Sequence, residues 1–173
     1  MTLRSRRLRK SLVVAHVIAS VGWLGAVATV LGLAAAAWSS DEVDVVGTVY
    51  IASDLVGRYV LIPLAFATLG TGVLVSFVSV WGLLRHYWVV AKLVITVIAT
   101  TVLVLYLGTL DAIASDAREW KGNAMGLRQV GVPSLMLHTS GALMLLVLAT
   151  VLAVFKPRGL TRYGWRRSPE RRG

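Results

Sequence analysis

Apolar positions fall into four long runs separated by short polar stretches: Leu12 to Ala37, Tyr59 to Trp81, Trp88 to Gly108 and Ser134 to Phe155. A helix needs roughly 20 apolar residues to cross a hydrocarbon core of about 30 Å, and every run is long enough. None contains Asp, Glu or Arg, and Lys92 is the only formal charge inside them. The pattern predicts an all-α membrane protein. Its transmembrane domain, 12–155, is an antiparallel four-helix bundle, with basic tails at 1–11 and 156–173. The link Gly82 to Tyr87 is so short that the second and third spans form a hairpin.

The segments between the runs carry weaker signals. Ser40 followed by Asp41 and Glu42 reads as a helix start with acids at the positive end of the dipole. Val45, Val49, Ala52 and Val56 then recur at helical spacing, so a short outer helix leads into the second span, with or without a break. Gly57 or Pro63 is expected to bend it. The stretch Thr109 to Pro133 is polar and holds Gly122, Gly126 and Gly131. It reads as an outer loop, mobile or ligand-facing.

Charge gives direction to the bundle. The net charge is +10, but the basic residues sit at the ends of apolar runs rather than in one patch, which argues against nucleic acid as a partner. With both termini cytoplasmic, all but four of the 18 basic residues (Arg58, Arg118, Lys121 and Arg128) lie inside, and every acid except Glu170 lies outside. This Lys/Arg bias fixes the orientation and holds the tails near anionic headgroups. Lys92, about one turn into the third span, can snorkel to the inner interface, level with the aromatics Trp81, Tyr87 and Trp88. The first apolar run is longer than the roughly 7–15 residues of a signal sequence core, so it reads as an uncleaved span. Ser5-Arg6-Arg7 is only faintly like a twin-arginine signal.

Small residues are the expected packing seams. Gly22 with Ala26, and Gly25 with Thr29, have the spacing that lets membrane helices approach, and the Ser and Thr hydroxyls are expected to bond to carbonyls of their own helices. Cysteine is absent, so no thiol chemistry or thiolate metal site is available. No phosphate loop, nucleophile elbow or HExxH motif occurs, and the outer acids are scattered, so no catalytic residue is assigned.

Chemistry narrows to three histidines. His16 and His138 lie about one turn inside the first and fourth spans, and His86 lies in the inner turn. Intramembrane ionisable groups are costly and point to function. A b-type haem held by two imidazoles is the sharpest candidate cofactor, with Ser20 a possible acceptor for the second nitrogen of His16. The alternative is a helix-to-helix hydrogen bond that fixes packing. The directions of the helices put His16 near the inner face and His138 near the outer one, on the order of 20 Å apart at about 1.5 Å per residue. His16 therefore pairs better with His86, and His138 would need Met136, Met125 or Tyr106. No zinc or copper site is signalled.

Several of these residues carry a resemblance. His16 with Gly22-Trp23-Leu24-Gly25, the inner turn Trp81-Gly82-Leu83-Leu84-Arg85-His86-Tyr87-Trp88 with Lys92-Leu93, His138, and the tail from Lys156 through Tyr163-Gly164 resemble an uncharacterised family of small four-span membrane proteins of actinobacteria and bacilli. The resemblance covers residues 12 to 164 and implies the plasma membrane of a bacterium, with no activity to carry over. The His and Trp-Leu-Gly pattern of the first span is also similar to one in copper-resistance D-like membrane proteins, over that helix alone. Relatives are expected to carry a His near the end of the third span, where this chain has Tyr106.

Three functions remain. The first is action by association, as an accessory subunit or homo-oligomer. The second is haem-based electron transfer or sensing, and the third is a small transporter or channel subunit.

Overall fold

The computed structural model describes residues 3–79, 82–157 and 159–166. Trp81, Arg158 and the tail from residue 167 onward lie outside them. The described chain is helical: α1 (Leu3–Ser39), α2 (Val43–Val56), a π-helical turn (Gly57–Leu61), α3 (Ile62–Val78), α4 (Tyr87–Glu119), α5 (Ala124–Phe155) and a short α6 (Arg162–Arg166). Four stretches are long and apolar enough to cross a membrane: Arg6–Ser39, Val43–Val78, Tyr87–Glu119 and Ala124–Phe155. At about 1.5 Å per residue these helices exceed the hydrocarbon thickness, so polar residues are accommodated where they project beyond it.

Helix α1 packs on α3 and α5, α4 packs on α2, α3 and α5, and α2 also touches α1 and α5. The buried core takes one stripe from each helix. Trp23, Val27, Val30, Ala34 and Ala37 come from α1, Val46, Val49 and Tyr50 from α2, Tyr106, Leu110 and Ile113 from α4, and Leu127, Val132 and Leu135 from α5. Large apolar side chains such as Val21, Phe66, Leu105, Met144 and Val154 point outward instead. A soluble protein would hide that much contiguous apolar surface, whereas lipid solvates it.

Three local expectations change. First, Glu42, not Ser40, is the residue flanking α2, and its side chain makes no cap. Ser40 Oγ instead accepts the Glu42 N–H at 3.1 Å, forming a turn before the helix. Second, of the two arrangements left open, α2 runs into α3 without a break, and the bend expected at Gly57 or Pro63 takes the form of the π turn. Pro63 has no N–H to give its own turn, and the Ile62 N–H reaches back to the Gly57 carbonyl. The bonding pattern thus widens just before the proline. Third, the expected loop 109–133 is helix except at 120–123. Its apolar positions, Leu110, Ile113 and Ala114, then Ala124, Leu127, Gly131 and Val132, are buried, so each helix continues as an amphipathic one. Asn123 caps α5, its side chain accepting the Gly126 N–H at 2.9 Å.

The small residues divide between inside and outside. At Gly22 a methyl group would meet Leu64 at 3.4 Å, inside the bundle, whereas at Gly25 and Gly32 it would meet nothing within 4 Å. The hydroxyls of Thr29, Ser76, Thr96, Thr100 and Thr150 donate to carbonyls one turn back in their own helices.

Candidate functional site

His16 sits where α1 faces α3. The Thr71 hydroxyl donates to the Ala67 carbonyl, so its oxygen accepts from His16 Nδ1, at 3.1 Å. Ser20 does not serve the ring: its hydroxyl donates to the His16 backbone carbonyl at 2.7 Å. Gly72 makes room for the imidazole, because a Cβ there would lie 3.0 Å from His16 Cε1. Two cavities, of about 140 and 220 Å³, meet at this point, and both are lined by His16, Thr68, Lys92 and Thr96.

His138 lies elsewhere. Its ring stacks on Tyr106 with centroids 3.9 Å apart and planes 14° from parallel. Nδ1 is 2.8 Å from the Ser134 carbonyl, so it carries the hydrogen in the neutral ring. The Tyr106 hydroxyl donates to Ser134 Oγ at 3.2 Å. Both rings line a third, mostly apolar cavity of about 370 Å³ between α1, α2, α4 and α5. Met125 and Met136 do not line it.

His86 flanks the start of α4, and its carbonyl accepts the N–H groups of Val89 and Val90. It forms an isolated antiparallel bridge with Leu160 and lines none of these three cavities. The structure therefore sets His16 against α3 and His138 against α4, in separate cavities, and brings no two of the three histidines onto one cavity. Among the described residues no three His, Cys, Asp or Glu side chains gather as metal ligands.

The acids are less scattered than their positions along the chain imply. Arg58, on the π turn, bonds Asp54 through Nε at 2.9 Å and Asp111 through Nη2 at 2.8 Å. Asp54 is buried, so this pairing satisfies a carboxylate that would otherwise be costly. Arg128 similarly joins two helix ends, with Nη1 donating to the Trp38 carbonyl at 2.8 Å and Nη2 lying 3.4 Å from Asp41. These ion pairs tie helix ends together. The Asp54–Arg58 spacing of four was a readable signal; the partnership with Asp111 was not.

At the opposite end the segment 159–166 folds back on the turn before α4. The Thr161 N–H donates to the Arg85 carbonyl at 3.0 Å, and the Tyr87 N–H donates to the Gly159 carbonyl at 3.3 Å. Gly164 packs so closely on the Arg85 carbonyl that a Cβ would overlap it. The turn 82–86 and the segment 159–166 are thus one packed unit.

No family model matches the chain, and no curated protein or solved structure shows significant similarity to it.

Proposed function

We propose that this is a multi-pass protein of a bacterial plasma membrane that works by association, as a homo-oligomer or as an accessory subunit of a membrane complex. In this reading its four spans are antiparallel and both termini are cytoplasmic. The distribution of Lys and Arg supports that orientation, and the short connections at 79–86 and 120–123 support the antiparallel order.

One observation carries the association. Between residues 25 and 36 the outward face of α1 carries small residues, Gly25, Ala28, Thr29, Gly32 and Ala36, all exposed. Ala28, Gly32 and Ala36 repeat at intervals of four. In lipid, helices gain little from burying large apolar groups and more from close backbone approach, which such a face permits. The neighbouring outward positions of the bundle carry Val, Leu and Phe side chains instead.

The absence of cysteine makes the test direct. A single Ala28→Cys substitution should give a disulfide-linked species on oxidation in native membranes, and Gly32→Ile should suppress it. A protein that stays uncrosslinked and monomeric in bilayers at every protein-to-lipid ratio, with no co-purifying subunit, would rule the reading out.

A further inference from the structure

Lys92 is a charge inside the bundle without a counter-charge. It makes no ion pair or hydrogen bond through its side chain among the described residues. The described acids belong to the other end, where Asp41, Asp54 and Asp111 are held by Arg128 and Arg58. Lys92 is half-buried, and an ionisable group at membrane depth implies a partner.

A second donor points the same way. The Thr68 hydroxyl is buried, at 6% exposure of the residue, and has no hydrogen-bond partner among the described residues. Thr68 and Lys92 line both cavities that meet beside His16. The other hydroxyl and ring donors there are committed. The Thr96 hydroxyl donates to the Lys92 carbonyl at 2.8 Å, and His16 Nδ1 is taken by Thr71. The donor capacity left unused within the chain is therefore an ammonium and a hydroxyl, which together suit an acceptor-rich anion. Away from this point the walls are apolar: Leu69, Val73 and Leu93 on one side, Val21, Leu24 and Leu146 on the other.

We infer that the niche between Lys92 and Thr68 binds an amphiphilic anion, with its carboxylate or phosphate head on these two donors and its apolar tail in one of the flanking cavities. The ligand reaches the site from the bilayer, which supplies both chemistries as fatty acid and as anionic phospholipid.

The test uses full-length protein in nanodiscs of phosphatidylcholine, with 1:1 adducts read by native mass spectrometry. Laurate, dilauroyl phosphatidylglycerol and inorganic phosphate are the probes. Wild-type protein should retain laurate or the phosphatidylglycerol, and whichever is retained assigns the head as carboxylate or phosphate diester. Lys92→Met should weaken retention by at least about tenfold, the scale of a lost charged hydrogen bond, and Thr68→Val by about fivefold. Lys92→Arg should keep most of it, and circular dichroism on each variant separates lost binding from lost folding. Equal retention by wild type and a folded Lys92→Met protein would overturn the site. Binding of inorganic phosphate as tight as that of the two amphiphiles would overturn the role of the tail.

Discussion

Arg58 reaches Asp111 at 2.8 Å across the contact between the π turn and α4, while its Nε holds Asp54 on its own helix at 2.9 Å. The two carboxylates are not equivalent. The Asp54 side chain is 7% exposed and the Asp111 side chain 59%. Removing the cation strands a buried carboxylate, whereas removing the exposed carboxylate leaves the buried pair intact. Arg58→Met is therefore expected to lower the melting temperature in detergent clearly more than Asp111→Asn, and Arg58→Met with Asp54→Asn should recover part of the loss. Equal effects of the two single substitutions would mean that burial of Asp54 does not control this site.

The four long helices were legible because apolar run length reports bilayer thickness directly. The helical extension through 109–133 was not. Polar residues on the exposed side of α4 and α5 break the apolar run, although Leu110, Ile113, Leu127 and Gly131 stay on the buried side, and the glycines there suggested a turn. His16 and Lys92 were readable as polar groups at membrane depth. Their neighbours Thr68, Thr71 and Gly72 were not, because those contacts come from α3, more than 50 residues from His16. Gly25 and Gly32 illustrate the same limit: spacing marks a close-packing face but does not say whether the partner is inside the bundle.

Gly131 is a glycine because of its neighbours. A Cβ there would lie 2.7 Å from Ile113 Cγ2 and 3.1 Å from Tyr50 Cε1, and the Tyr50 hydroxyl is fixed on the Leu127 carbonyl at 2.9 Å. Gly131→Ala is expected to destabilise the bundle by about 1–3 kcal/mol, as overpacking does. Ile113→Val removes a methyl group from the same side chain, so the double substitution should cost less than the sum of the two single ones. Denaturation of the four proteins in one detergent measures the coupling, and strict additivity would show that the contact relaxes without cost.

The stacked pair Tyr106 and His138 separates ring contact from hydrogen bonding. With Nδ1 at 2.8 Å from the Ser134 carbonyl, the neutral His138 ring is expected to be the Nδ1–H tautomer. Nitrogen-15 NMR of labelled protein should show a pyrrole-type Nδ1 and a pyridine-type Nε2; the reverse pattern would contradict this bond. His138→Phe keeps an aromatic face against Tyr106 and should cost less than His138→Ala, which loses a contact worth about 0.5–1.5 kcal/mol for such a pair. Tyr106→Phe should cost about 1 kcal/mol for the bond to Ser134.

The segment 159–166 and the turn before α4 are joined chiefly through the backbone. The Thr161 N–H meets the Arg85 carbonyl, the Tyr87 N–H meets the Gly159 carbonyl, and the Thr161 hydroxyl bonds the Leu84 carbonyl while accepting the Gly164 N–H at 3.1 Å. Gly164 has no space for a side chain beside Arg85. Gly164→Ala must therefore push α6 off the turn, and Thr161→Val removes the hydroxyl that joins both sides. Hydrogen exchange should then accelerate at the amides of Tyr87, Thr161 and Gly164 in either variant, while the amides in the middle of α4 and α5 keep wild-type protection. This split is expected because the tail packs at one end of the bundle and adds nothing to the buried stripe formed by Trp23, Tyr106 and Leu135, so it can open as a separate unit. Faster exchange along α4 in step with the tail would instead make the docked tail part of the cooperative fold.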